Sequence, residues 1–260
     1  MNINKQKGFT LTEMLVVIAI IGIIAAIALP AIGRAKIRSK AAVTKVEMKS
    51  LEGAIKAYKS DYERFPIGRL SNNNPRNNYG DHTAGKHPYY IDDIGKEIAW
   101  APGNNNVMYI LLAEDAGHNV RHARNPKKHK YITPKDSGTS VDKDGIPGLS
   151  LTKVYRSPFG NNFIISMDVS GDGYCGDNYY GWKKNEVQGL VQVPAEVSNR
   201  VGKKFKALRG DIMIWTAGPD KMIETDPVYK KHLNSLIDPI TGKSKPNNIR
   251  PDIDNILSWD

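Results

Sequence analysis

Cysteine is almost absent. Cys175 stands alone among 260 residues, so no disulfide can close within the chain. The fold must rest on its own core, and the lone thiol is expected to be a buried, inert side chain. Catalytic signatures are missing as well. There is no His-Glu-x-x-His, no paired cysteine ligands, no Gly-x-Ser-x-Gly and no complete Gly-x-x-x-x-Gly-Lys-Ser/Thr phosphate cradle, so nothing here supports an enzyme. Negative charge is the minority sign. With 37 Lys and Arg against 27 Asp and Glu, the net charge is +10, which permits contact with nucleic acid, acidic polysaccharide or anionic lipid but demands none. No internal repeat is evident.

Apolar residues are plentiful where they matter. A hydrophobic content of 40%, with 4 Trp, 12 Tyr and 5 Phe, supports a packed core rather than disorder. The 23 Gly and 15 Pro fall in clusters, which predicts a loop-rich outer region. From Met14 to Ile32 no charged residue occurs. That run is about the ~20 residues a membrane-spanning helix needs. At its leading edge sits one carboxylate, Glu13, and an uncompensated charge in lipid is costly. Something must pair with it. A cut after Gly8 would make Phe9 the N-terminus and place its ammonium one helical turn from Glu13; a neighbouring copy's amine would reach it equally well. An ordinary signal peptide would show a shorter apolar core and a small-residue cleavage site beyond it. Ala25-Ala26-Ile27-Ala28 imitates such a site, but the apolar run continues through it.

Lys7-Gly8-Phe9-Thr10-Leu11-Thr12-Glu13, with the stretch Met14 to Pro30 behind it, resembles the N-terminus of the type IV pilin and pseudopilin family. The resemblance implies that a prepilin peptidase cuts between Gly8 and Phe9 and that Phe9 is then N-methylated. It also implies a helix that first anchors in the bacterial inner membrane and later packs into a filament core, with Glu13 and Pro30 as assembly residues. Lys5 and Lys7 precede the span while Arg34, Lys36, Arg38 and Lys40 follow it, so loop charge alone favours the opposite orientation. The resemblance places the leader in the cytoplasm and the remainder in the periplasm, and it is followed here.

The helix is expected to continue beyond the membrane. Leu51, Ile55, Tyr58 and Tyr62 share one face by their spacing, and Lys45, Lys49, Lys56 and Lys59 fall largely elsewhere. Pro30 removes a backbone donor, which predicts a kink or local unwinding. Phe65-Pro66 ends the element, giving roughly 80 Å of helix from Phe9 at ~1.5 Å per residue. Lys49 to Pro66 is similar to the helix end of the major (G-type) pseudopilin of type II secretion systems. The absence of a cysteine pair fits the same group, since many type IV pilins staple their C-terminal region with one.

Residues 67–150 read as a loop-rich insertion carrying one short buried element, Val107 to Ala113. From about 150 the pattern turns to strands: Phe163 to Met167, Leu190 to Val193 and Ile212 to Thr216. Ser157-Pro158-Phe159-Gly160-Asn161-Asn162 is a turn. The expected fold class is α+β, a long N-terminal hydrophobic helix on a small antiparallel sheet. Its parts are a leader at 1–8, the membrane or filament-core helix at 9–32, the amphipathic continuation at 33–66, the insertion at 67–150 and the β-sheet region at 151–260.

Calcium is the one ligand expected. In the resembled family a C-terminal loop binds it through carboxylates and carbonyls, and Asp220, Asp252 and Asp254 match those positions. Pro219 and the long segment 227–251 depart from that pattern. Asp168-Val169-Ser170-Gly171-Asp172-Gly173 alternates oxygens like the front of a calcium loop, with Asp168, Ser170 and Asp172 as ligands. The twelfth position is Tyr179 instead of the bidentate Glu, so an Asp-Gly hairpin turn competes with it. His118, His122 and His129, and the basic stretch Arg121 to Lys130, read as a solvated loop rather than a metal or nucleic-acid site.

The expected function is a structural pseudopilin. It would be trimmed by prepilin peptidase and polymerise with itself into a periplasmic pseudopilus of type II secretion, alongside minor pseudopilins and the inner-membrane assembly platform. The alternative is a type IV or minor pilin whose basic outer domain meets DNA or a surface; nucleic acid is otherwise not an expected partner.

Overall fold

A computed structural model of the chain describes residues 10–68, 81–85, 103–138, 145–177, 189–194, 206–219 and 256–258. The chain divides into two units, Met1–Lys40 and Ala41–Asp260. Helix α1, Leu11–Tyr62, belongs to both. Helical backbone continues through residue 30, so the unwinding expected at Pro30 does not occur. The helix stops where its backbone turns left-handed: Glu63 has φ 53 and its N–H still bonds the Lys59 carbonyl at 2.8 Å. Such a left-handed residue satisfies a terminal carbonyl, and Pro66 then bars any further turn.

The first unit is apolar and unshielded. Every large aliphatic side chain described from Leu11 to Ile32 is well exposed, between 40% and 81%, and the apolar window shows no burial.

In the second unit the same helix becomes one-sided. Thr44, Met48, Leu51, Ile55 and Tyr58 are fully buried, at alternating spacings of four and three, while Lys45, Lys49 and Lys56 lie outside. This is the apolar stripe the sequence predicts, and it starts about two turns earlier than Leu51, at Thr44. Among the described residues nine short strands follow: β1 His82–Ala84, β2 Gly148–Leu149, β3 Tyr155–Arg156, β4 Ile164–Met167, β5 Tyr174–Cys175, β6 Leu190–Gln192, β7 Lys206–Arg209, β8 Ile212–Thr216 and β9 Ile256–Leu257. Helix α2, Asn105–Leu111, lies between β1 and β2. The strands form a four-stranded sheet in the order β1-β4-β8-β9, a three-stranded sheet β5-β7-β6 and a hairpin β2-β3, all antiparallel.

β4 and β8 are buried on both faces, which explains their continuous apolar runs. One face clusters Ile164, Met213, Trp215 and Leu257 with Cys175 and, from the three-stranded sheet, Leu190 and Leu208. Ile165, Met167, Ile212 and Ile214 on the other face are equally buried. Cys175 is free and buried, as expected of an inert thiol. Asn104, at the start of α2, stitches the unit together: its side-chain amide donates to the carbonyls of Tyr155 and Phe163 at 2.7 and 2.9 Å and its oxygen accepts the Tyr155 N–H. The segment 67–150 therefore contributes more than loops. It supplies β1, an edge of the main sheet, and α2, whose Val107, Met108, Ile110 and Leu111 are core.

Candidate functional site

Leu11 to Ile32 presents apolar side chains on all sides, and no described residue of its own unit covers them. A helix of that kind is stable only in lipid or among other apolar helices. Glu13 lies at its first turn. Thr10 donates to Glu13 Oε2 twice, from its backbone N–H at 2.8 Å and its hydroxyl at 2.7 Å, and the Glu13 N–H returns a bond to Thr10 Oγ1 at 3.2 Å. This reciprocal pair is a capping box, with Thr10 as the N-cap and Glu13 three residues inside. Thr-x-x-Glu before an apolar run is its sequence signature; the reading from sequence gave Glu13 only an amine as partner. Gly8 and Phe9 lie outside the described residues. At Pro30 the backbone is helical.

At the far end of α1 the expected basic loop is present and unusually well anchored. Tyr58 OH donates to the Arg124 carbonyl at 2.5 Å, Tyr62 OH donates to Asn125 Oδ1 at 2.9 Å, and the Tyr131 hydroxyl bonds Asp61. Asn125 is fully buried, and its amide donates to the Ile110 and His129 carbonyls at 2.8 and 2.7 Å while its oxygen also accepts the His129 N–H. No signal in the sequence marks Asn125, a polar residue inside a basic run. Lys127, Lys128, His129 and Lys130 project outward from this clasp. The three histidines do not converge on a metal: His129 stacks edge-on against Tyr131 at 4.6 Å, and His118 packs where a side chain on Gly68 would stand.

Of the two calcium candidates, Asp220, Asp252 and Asp254 lie outside the described residues. The loop from Asp168 to Gly173 is described, and it closes on itself. Asp168 accepts the Ser170 hydroxyl at 2.9 Å and the N–H groups of Gly171 and Gly173 at 2.6 and 2.8 Å, with φ 75 and 81 at the two glycines. Backbone donors already occupy the oxygens a cation would need, so the arrangement suits a turn. Among the described residues no group of three or more His, Cys, Asp or Glu is arranged to hold a metal. Behind the loop, Asp81 is buried and accepts the Gly176 N–H at 2.9 Å. Burial, aided by the nearby charges of Asp168 and Asp172, pushes its carboxyl up to about 8. Next to it, at the start of β1, His82 is held down to about 4, first by burial and then by His118.

Residues 3–29 match the Prokaryotic N-terminal methylation motif. The chain is 43% identical over 61 residues to the type IV major pilin protein PilA of Myxococcus xanthus, covering 24% of this chain and 28% of that protein. It is 36% identical over 63 residues to the type II secretion system core protein G of Klebsiella pneumoniae, covering 24% of this chain and 45% of that one. A fimbrial protein of Moraxella nonliquefaciens is 79% identical over 28 residues, 11% of this chain and 18% of its own. The chain thus spans less than half the length of these relatives. No solved structure matches it.

Proposed function

We propose that this chain, a member of the type IV pilin and pseudopilin family, is a filament subunit of a type II secretion pseudopilus. The observation that carries the reading is the conjunction of the N-terminal methylation motif at residues 3–29 with an apolar helix that no described residue of its own unit covers. Prepilin peptidase would cut between Gly8 and Phe9 in the inner membrane, and Phe9 would be methylated. The exposed stretch would then exchange lipid for the same stretch of neighbouring copies, a transfer between two apolar surroundings that costs little. Adding subunits at the membrane would push exported proteins outward from the periplasm. The mechanism is mechanical, and no catalytic group enters it.

The relatives include pilins as well as protein G, so the choice of pseudopilus rests on this chain's own features: a single cysteine, and a helix ending in Tyr62 and Phe65-Pro66. The exposed turn at Lys127 to Lys130 favours the second reading, a pilin displaying a basic surface. A calcium clamp at Asp220, Asp252 and Asp254 is part of the proposal. It is supported by the register Thr216↔Ile256, which brings the chain leaving β8 and the chain entering β9 to the same end of the sheet. Calcium there would tie two segments that have little core of their own.

The first experiment is intact mass and N-terminal sequencing of the full chain made with and without prepilin peptidase. A chain beginning at methylated Phe9 supports the filament-subunit reading; an uncut chain, or one cut near Ala28, overturns it. Loss of secretion without loss of surface filaments on deletion then separates pseudopilin from pilin.

A further inference from the structure

We propose that Arg34, Lys36, Arg38 and Lys40 form a collar on α1 that binds the phosphates of anionic lipids, at the membrane face where the apolar run ends. The inference rests on the membrane-anchored reading above and adds a partner to it. Met14 to Ile32, at ~1.5 Å per residue, is about 28 Å long, close to the ~30 Å of a hydrocarbon core. Arg34 follows two residues later, and Lys40 closes the first unit. The four cations span about 9 Å along the axis, against a headgroup layer of roughly 5–7 Å, and a long stem lets Lys40 lean back toward it. The backbone is helical throughout; Arg34, Lys36 and Arg38 are exposed and Lys40 is half-buried.

The angular spread of these charges identifies the partner. Arg34 and Arg38 lie about 40° apart on one face of the helix, and Lys36 and Lys40 make the same pair about 200° further round. A helix with one dry face would gather its charges on the other. Here they ring the axis. No Asp or Glu occurs between Glu13 and Glu47, so no carboxylate lies three or four residues from any of the four. Among the described residues no ion pair involves Arg34, Lys36 or Arg38. Only a partner that surrounds the helix can neutralise both faces. Duplex DNA or a flat protein surface meets one face at a time, and a second copy carries the same ring at the same level and repels it. Lipids around a spanning helix meet every face, and each cation at an anionic surface strengthens binding about fivefold. The collar also accounts for the charge order of the chain. Loop charge alone would hold these residues in the cytoplasm. Cleavage after Gly8 would remove Lys5 and Lys7, leaving cationic side chains at one end of the span, where lipid phosphates would fix the depth of the trimmed helix until it assembles.

The test places the full chain, made with peptidase, in bilayers of equal parts phosphatidylglycerol and phosphatidylcholine. Insertion is read by vesicle flotation, and the lipids the chain retains on release from nanodiscs are read by native mass spectrometry. The parent should retain phosphatidylglycerol over phosphatidylcholine by about tenfold or more in about 50 mM ammonium acetate, and much less in about 500 mM. Arg34→Gln with Arg38→Gln, and Lys36→Gln with Lys40→Gln, should each insert normally and lower that ratio about fivefold or more. Arg34→Lys with Arg38→Lys should keep it. Lys127→Gln with Lys128→Gln and Lys130→Gln removes a similar charge from the second unit and should leave the ratio unchanged. A silent result from either Gln pair would show a one-sided contact and overturn the collar, as would loss of the preference in the Lys127 to Lys130 variant. A parent that inserts but shows no preference would overturn the lipid partner and leave the membrane anchor standing. A parent that never floats with vesicles would bring down both.

Discussion

Asn125 carries more of the outer unit than its place in a basic run suggests. Its buried side chain joins α2, α1 and the 126–129 turn through four bonds of 2.7–3.1 Å. Alanine there would remove four hydrogen bonds, those to the Ile110 and His129 carbonyls, the His129 N–H and the Tyr62 hydroxyl, so Asn125→Ala should cost about 2–4 kcal/mol of unfolding free energy. Tyr62→Phe, which removes one partner, should cost about 1 kcal/mol. Urea unfolding of the chain in detergent distinguishes them, and equal, near-zero shifts would contradict the clasp. Asp81, just before β1, and His82, its first residue, give the unit opposite responses to pH. Asp81 titrates near 8 when folded and near 3.8 when unfolded, so its contribution is complete below 3.8 and is lost as pH rises through 8. His82 titrates near 4 when folded and near 6.5 when unfolded, so its contribution is complete above 6.5 and is lost as pH falls toward 4. Asp81→Asn keeps an acceptor for the Gly176 N–H and removes the charge. Its melting temperature should gain on the parent steadily between pH 5 and pH 8; parallel pH profiles would show that Asp81 is not held protonated by the fold.

At the scale of elements, the long ones were legible and the short ones were not. The stripe on α1 and the apolar runs of β4, β6 and β8 carry enough period or length to be read directly. β7 is Lys206-Ala207-Leu208-Arg209 and β1 is His82-Thr83-Ala84, and neither shows alternation. Their identity as strands comes from partners about 80 residues away for β1 and about 15 to 35 away for β7. The Thr10 cap was legible as Thr-x-x-Glu, yet the charge problem at Glu13 drew attention to an external amine instead. The turn before β4 shows how one residue can hold an element. The Gly160 N–H bonds the Ser157 carbonyl at 2.7 Å with φ 83, and any Cβ there would collide with the backbone of Gly145. Gly160→Ala should therefore cost at least ~1–3 kcal/mol, because both the left-handed backbone and the close approach are lost. Gly171→Ala is the control. Its φ is also positive, at 75, but open space surrounds it, so it should cost less. A reversed order would mean that the contact with Gly145 does not hold the turn.

For the whole molecule, the two units solve the burial problem in different ways. Residues 41–260 enclose their own core, with Trp215, Phe163 and Met213 fully buried. Residues 11–32 enclose nothing and carry their apolar surface outward, so their stability depends on lipid or on other copies. A substitution in the middle of that run should accordingly spare the fold and abolish localisation. Ile24 is 60% exposed and lies near the centre of the uncharged stretch. Arginine at a helix centre costs about 2.5–3.5 kcal/mol of insertion free energy, and each leucine- or isoleucine-like residue returns only about 0.3–0.6. Ile24→Arg thus opposes the contribution of several neighbours at once, and it would also place an unpaired cation inside any helical filament core. The variant should partition to membranes about 100-fold less well and form no filaments. Its Trp215 environment, read by near-ultraviolet circular dichroism, should match the parent, since no residue of the outer core is touched. If Ile24→Arg instead remained in the membrane and assembled at the parent yield, the exposed helix would not be the surface through which the subunit is anchored and joined. If the tryptophan signal collapsed with it, the outer unit would depend on the apolar helix for its fold, and the separation of the two tasks would be wrong.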